Sequence, residues 1–213
     1  MMRRGGHRET VTNLGVLGFH SRYFSSEKIL RIVAGTFRGR KLASPPDGVR
    51  PTSDRVRESL FSRLGDLSGS TVLDLFAGTG ALGLESISRG ATELVCVDQA
   101  AGAIATIKKN ADHLGLGGEI QCIRANAQTA IRRLHSEGRH FDLVFLDPPY
   151  ADVGLVPGTL EQLLACDLLS PGAPVVVEGP RKPALELPVK GFEVEEARRY
   201  GDTVVTWFYA ADQ

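Results

Sequence analysis

The chain has 213 residues, 42% hydrophobic and 23% charged, which fits one sizeable globular domain with small additions. No apolar run approaches the roughly 20 residues that cross a bilayer, so a membrane-spanning helix is not expected. Three scattered cysteines, Cys96, Cys122 and Cys166, match neither a zinc spacing nor a disulfide framework and read as buried small hydrophobes in a reducing compartment.

The net charge of +0 hides a gradient. Residues 1–63 hold thirteen Lys or Arg against five Asp or Glu, and the remainder holds twelve against twenty. A basic front on an acidic body suggests a polyanion partner at the front, with an address tag or a solvated face as the plainer alternative.

In chain order, residues 1–26 carry four arginines and one acid, Glu9, without a clear period. They read as a disordered tail or an organelle transit peptide, with Arg22-Tyr23-Phe24-Ser25-Ser26 resembling a processing site. Chloroplast or mitochondrion is the expected location if it is a transit peptide, and bacterial cytoplasm otherwise. Residues 27–50 read as a basic extension: two short strands around Gly35 form a hairpin bearing Arg31, Arg38, Arg40 and Lys41, followed by a Pro/Gly loop. Residues 51–213 form the main domain. It opens with a helix capped by Ser53 or Asp54, with Val56, Leu60, Phe61 and Leu64 as its apolar face and Gly65 as its end.

Five apolar strands then alternate with four helices, which predicts an α/β, Rossmann-like, mostly parallel sheet covered on both faces. The end differs. "GFEVEEARRYGDTVVTWFYA" holds two extended runs around a tight turn, so an antiparallel hairpin closes a seven-stranded sheet. Trp207 and Phe208 on the last run read as packing residues.

"LDLFAGTGALG" follows the first of these strands, and Gly78, Gly80 and Gly83 spell G-x-G-x-x-G. Asp98 ends the next strand, where its carboxylate can accept hydrogen bonds from vicinal ribose hydroxyls. NAD and S-adenosylmethionine both carry that ribose. Asp74 favours the second, because a carboxylate at the strand tip would repel a pyrophosphate at the helix start but tolerates a cofactor with a free ammonium. The terminal antiparallel hairpin points the same way.

"DLVFLDPPYAD" places Asp147-Pro148-Pro149-Tyr150 directly after another apolar strand. Consecutive prolines fix φ and stiffen the segment. The Asp147 carboxylate and the Pro148 carbonyl form a rigid pair of acceptors beside an aromatic ring. Such a pair can grip an exocyclic NH2 and aim its lone pair at a methyl carbon, while Tyr150 stacks on the flipped base. The proton can leave to Asp147 or water after attack.

At this point the chain resembles the class I amino-methyltransferases. More narrowly, "RIVAGTFRGRKL", "RPTSDRVRESLF", "DLFAGTGALGLESISRGA" and "DPPY", in this order, resemble the RsmD family of 16S rRNA guanine-N2 methyltransferases over about residues 30–210. The resemblance implies a class I methyltransferase fold with S-adenosylmethionine as cofactor. Asp74, Phe76, Ala77, Gly78, Thr79 and Gly80 would line it, Asp98 and Gln99 would meet its ribose, and Asn126 with Ala127 its adenine. Thr52, Asp54 and Arg55 would fold over its methionine end. Arg38, Arg40, Lys41 and Arg50 would hold phosphates of small-subunit rRNA, free or in an assembling subunit. A metal is not expected, and a monomer is. Another amino target on nucleic acid, such as adenine N6, or a glutamine amide, and a non-catalytic RNA-binding assembly factor stand as alternatives.

Overall fold

The computed structural model describes residues 30–44 and 53–211. Residues 1–26, Arg50 and Thr52 lie outside that range, and with them the tail or transit-peptide expectation and two of the expected site residues.

Helix α1 (Asp54–Leu64) starts where Ser53 accepts a hydrogen bond from the Val56 N–H and stops at Gly65, whose φ of 72° is the left-handed end expected of that glycine. Strands and helices then alternate through β1 (Thr71–Leu75), α2 (Ala81–Ser88), β2 (Glu93–Asp98), α3 (Ala101–Leu114), β3 (Ile120–Arg124), α4 (Ala127–Ser136) and β4 (Leu143–Leu146). A 3-10 turn (Tyr150–Leu155) leads into α5 (Val156–Ala165), followed by β5 (Val175–Pro180), β6 (Phe192–Tyr200) and β7 (Thr203–Ala210). Helix α5 begins at Val156, since Pro157 fits the first turn of a helix.

The seven strands form one sheet in the order β3-β2-β1-β4-β5-β7-β6. The first five are parallel, and β7 runs antiparallel to both β5 and β6. The expected doubly wound sheet with a closing hairpin is therefore present. Alternate strand residues feed two cores. Val72, Leu94, Phe145 and Trp207 pack with Leu60, Phe61, Leu84 and Ile107 from α1, α2 and α3. Leu73, Val95, Val144 and Phe208 pack with Ile131, Leu134, Leu160 and Leu163 from α4 and α5. Trp207 and Phe208 are both fully buried, one in each core. Burying a large side chain of this kind contributes roughly 1.5–3 kcal/mol. Cys96 is buried, while Cys122 and Cys166 are only partly so.

The basic hairpin is shorter than the sequence suggests. One antiparallel bridge, Arg31 to Lys41, is flanked by Ile32 N–H to Arg40 C=O and Leu42 N–H to Leu30 C=O, both 2.9 Å. The pairing stops there because the next amides turn elsewhere. The N–H groups of Val33 and Ala34 donate to the Glu85 carboxylate at 2.7 and 2.9 Å. Segment 30–44 is thus an arm laid across α1, α2 and α3. Leu30, Ile32 and Leu42 insert into the first core.

Candidate active site

The chain reverses direction across the sheet between β1 and β4. After β1 the strands proceed outward to β2 and β3, and with β4 they begin on the other side. The crevice beyond the carboxyl ends of these two strands is where ligands bind in open α/β sheets. Both sequence motifs converge on it. Leu75 is in register with Val97 of β2 on one side and Leu146 of β4 on the other. One residue further on, Phe76 therefore lies between Asp98 and Asp147. Neighbouring strands are about 4.8 Å apart, so the proline corner stands directly beside the glycine turn.

The three glycines do different work. Phe76 (φ 67°), Gly78 (φ 54°) and Gly80 (φ 76°) all have left-handed backbones, which bend the chain out of β1 and back into α2. Phe76 adopts this conformation without being glycine, at a cost of about 1–3 kcal/mol, the kind of strain that collects at ligand sites. A Cβ on Gly78 would meet nothing nearer than the Phe76 carbonyl at 4.0 Å, so the backbone there faces open space that a ligand can fill. A Cβ on Gly80 would press on Ile107 at 3.2 Å, and one on Gly83 would strike Leu94 at 2.6 Å. Those two are needed for packing. Ala77 and Thr79 are buried beneath the turn.

Two carboxylates organise the turn. Asp98 accepts the Gly78 N–H at 2.9 Å with one oxygen and the Ala100 N–H at 2.8 Å with the other. A carboxylate has about four acceptor sites, so it retains capacity for ribose hydroxyls. Asp74 is buried, and its Oδ2 accepts the Gly83 N–H at 3.0 Å. Its Oδ1 is also buried, with no hydrogen-bond partner among the described residues. Burial pushes the Asp74 carboxyl up to about 7, against the Gly83 hydrogen bond and with help from the Asp98 charge. Open space above Gly78, a free acceptor on Asp74 and a second carboxylate at the ribose position fit a cofactor carrying a cationic amino-acid end. They do not suit a pyrophosphate.

At the other side, Asp147 is half-buried, Pro148 buried, and Pro149 and Tyr150 exposed. The Pro149 carbonyl accepts the Asp152 N–H at 2.7 Å, which starts the 3-10 turn. Tyr150 is 48% exposed, and its hydroxyl shares a hydrogen bond of 2.9 Å with Thr203 Oγ1, at the start of β7. That bond fixes the end of the ring and leaves it accessible for stacking.

Asn126 caps α4, accepting the Thr129 N–H at 2.8 Å through its amide oxygen. The amide oxygen has a second lone pair, so capping leaves it able to accept from an adenine amine. Gln99 is exposed beside Asp98, and Ala127 is buried in the first turn of α4. Arg55 is exposed and lines a depression of about 490 Å³ with Glu58, Ser59, Ser62, Arg63 and Arg198. This places it on the flank of α1 that faces β6. Asp54 is held by Arg31 at 3.0 Å and Arg57 at 2.8 Å.

The arm carries its arginines away from the crevice. Helices α2 and α3 run antiparallel to the strands, so their carboxyl ends lie at the amino edge of the sheet. Thr36 N–H donates to the Ser88 carbonyl at 2.7 Å, Phe37 N–H to Ser88 Oγ at 3.0 Å, and Arg40 Nη2 to the His113 carbonyl at 2.6 Å. The tip of the arm, and Arg38 with it, is therefore held at the carboxyl end of α2, and the Arg40 side chain at that of α3. The arginine at a helix carboxyl terminus is also favourably placed against its dipole.

Two supporting residues escaped the sequence reading. Glu85 is buried and accepts from Val33, Ala34 and Arg89. Buried Asn110 receives the Ala43 N–H at 2.7 Å and donates to the carbonyls of Ala43 at 3.1 Å and Thr79 at 3.0 Å. It ties the returning arm to the glycine turn. The signal was a polar residue on an apolar stripe, since Asn110 falls among Ile107, Ala111 and Leu114.

The family described as "Conserved hypothetical protein 95" matches residues 30–209. The Ribosomal RNA small subunit methyltransferase D of Haemophilus influenzae is 36% identical over 151 residues, covering 70% of this chain and 78% of that protein. The Escherichia coli protein of the same name is also 36% identical, covering 70% and 74%. The solved structure of Escherichia coli yhhF superposes with a TM-score of 0.76 at 32% identity, covering 86% of this chain and 99% of the other. A match spanning nearly all of the described residues, with relatives at this identity and coverage, shows that the chain belongs to the RsmD family.

Proposed function

We propose that the chain transfers a methyl group from S-adenosylmethionine to the exocyclic N2 of a guanine in small-subunit rRNA. The observation that carries this reading is the juxtaposition at the crevice: the β1–β4 register sets Asp147-Pro148-Pro149-Tyr150 beside the Gly78 turn. The names of the rRNA methyltransferase relatives support the substrate class.

The cofactor supplies an electrophilic methyl carbon on a sulfonium. The residues that would hold it are Asp74 toward its ammonium, Asp98 toward its ribose and the Gly78 backbone against its body. The chain's own part is to bind and orient. Asp147 and the Pro148 carbonyl accept from the two N–H groups of the guanine amine, and Tyr150 stacks on the base. Holding a poorly nucleophilic amine in line with the methyl carbon supplies most of the advantage, since orientation alone can lower a barrier by several kcal/mol. The proton lost from nitrogen after attack passes to Asp147 or to water. No metal takes part in this scheme, and one copy of the chain suffices for it.

The test is tritiated methyl transfer to rRNA from a strain lacking the activity, followed by nucleoside mapping. The expected product is N2-methylguanosine. Asp147→Ala should lower turnover at least 100-fold while S-adenosylhomocysteine affinity stays within about twofold, in keeping with an interaction that strengthens in the transition state. Normal turnover by that variant removes Asp147 from the chemistry, and label at another position reassigns the target.

A further inference from the structure

If the target base enters at Asp147, the RNA on either side of it must cross the rim of the crevice. Arg38 and Arg40 are not there, because the arm's tip docks on the carboxyl ends of α2 and α3. The rim draws positive charge from another part of the chain.

The register of β5 with β7 pairs Pro180 with Thr203, and that of β6 with β7 pairs Tyr200 with Thr203. The exit of β5 and the β6–β7 turn therefore lie side by side at the carboxyl edge. They are joined by the Arg181 N–H donating to the Asp202 carbonyl at 2.7 Å. The same Thr203 holds the Tyr150 hydroxyl. Around this point stand Arg181, Lys182 and Arg199, all exposed. None of the three makes an ion pair among the described residues. Arg199 is steadied by its Nε donating to the Gly201 carbonyl at 3.0 Å. The acids nearby in sequence are Glu178, Glu186, Glu196 and Asp202, of which Glu178 is buried and Glu196 is paired with Arg63 and Arg198. Arg198 is different, since Glu196 neutralises it.

Charge is also segregated along β6. Glu193, Glu195 and Glu196 occupy the half away from the crevice, and Arg198 and Arg199 the half at its mouth. Charged side chains on an edge strand guard against edge-to-edge pairing, and either sign would serve that purpose. Arg63 of α1 holds Glu195 and Glu196 at the far end, but neither that pairing nor guarding the edge accounts for Arg199 lying at the mouth without an ion pair among the described residues. Binding a polyanion there does.

We infer that Arg181, Lys182 and Arg199 hold the backbone phosphates of the RNA strand flanking the nucleotide presented to Asp147, and that Thr203 positions Tyr150 at the junction of this rim and the base. The inference rests on the RNA-methylation reading above. Phosphate contacts of this kind fix register without reading sequence, and they release counterions on binding.

The experiment compares wild type with the triple variant Arg181→Gln, Lys182→Gln, Arg199→Gln, using an rRNA fragment containing the methylated guanine. Cofactor-site integrity is read from S-adenosylhomocysteine affinity, expected unchanged within about twofold. RNA affinity should fall at least tenfold near 0.1 M salt. The slope of log affinity against log salt should shrink by about 2, from three contacts at roughly 0.7 each. A slope equal to wild type overturns the rim. Wild type with no salt-dependent RNA affinity overturns the proposed function itself, so the two failures are distinguishable. For the positioning role, Thr203→Val should lower kcat about three- to tenfold with RNA affinity unchanged, and Thr203→Ser should restore it. Equal kcat in Thr203→Val and wild type removes Thr203 from the inference.

Discussion

Asp74 shows how much one side chain can decide. It is an acid at the tip of a central strand, buried under its own loop, with one oxygen bonded to Gly83 and the other without a partner among the described residues. Its carboxyl is raised to about 7, first by burial and then by the Asp98 charge. The folded chain therefore keeps a proton that the unfolded chain loses near pH 4. Between those values the native state binds more protons than the unfolded state. This carboxyl's contribution to stability accordingly falls as pH rises from about 4 to about 7, and is constant outside that window. Cofactor binding runs the opposite way, because the ammonium favours the ionised acid. We expect S-adenosylhomocysteine affinity, measured by calorimetry from pH 5.5 to 8.5, to strengthen as pH rises through about 7. In Asp74→Asn the affinity should be weaker and lack that step. A step retained in the variant assigns the titration to another group. The sequence places Asp74 at the site by its position after an apolar strand. It does not disclose the burial, which depends on α2 folding back so that Gly83 meets the carboxylate.

At the scale of elements, the arm and α2 form one unit through Glu85. This buried carboxylate accepts two backbone amides from the arm and one bond from Arg89, and the guanidinium of buried Arg57 lies close enough to feel its charge. Arg57 in turn donates to the Arg31 carbonyl at 2.6 Å. Removing one member of such a set strands the others, at a cost of about 3–5 kcal/mol. Glu85→Ala is therefore expected to lose about that much in urea unfolding, and Glu85→Gln less, since the amide oxygen can still accept. Gly35 is held as tightly by shape. Its φ is +80°, and a Cβ there would lie 1.8 Å from the Ser88 carbonyl oxygen. The main elements were legible because each has its own period: apolar runs for the five parallel strands, alternation for the closing hairpin, capped stripes for the helices. The arm was legible as a turn between two extended runs but not in its extent. Its amides satisfy themselves on a side chain 51–52 residues away, and no local pattern reports that.

Across the whole molecule, sheet topology converts two motifs about seventy residues apart in sequence into one crevice. Asp74 and Asp147 could be nominated from the sequence because each ends an apolar strand. That they are neighbours follows from β4 pairing with β1, a consequence of the doubly wound order. The destination of the arm's arginines was hidden for the converse reason. They are near the motifs in sequence, but helix direction carries them to the opposite edge. The same layout also decides between the two cofactors that the glycine pattern allows. A dinucleotide needs the first amides of α2 for its pyrophosphate. Here the Gly83 N–H is already bonded to Asp74, and that carboxylate lies beneath the helix start. An anion there would meet a donor already in use and a negative charge above pH 7. S-adenosylhomocysteine places no phosphate in that position. Ligand that binds only the folded chain stabilises it by about 2.7 kcal/mol at 100 times its dissociation constant. For a domain of this size that corresponds to a rise in Tm of about 5–10 °C. We expect that rise with S-adenosylhomocysteine and none with NADH at equal concentration, measured by calorimetric or fluorescence melting at pH 8. A comparable rise with NADH would mean that the Gly78 turn accepts a pyrophosphate despite Asp74, and the carboxylate argument for the cofactor would have to be abandoned.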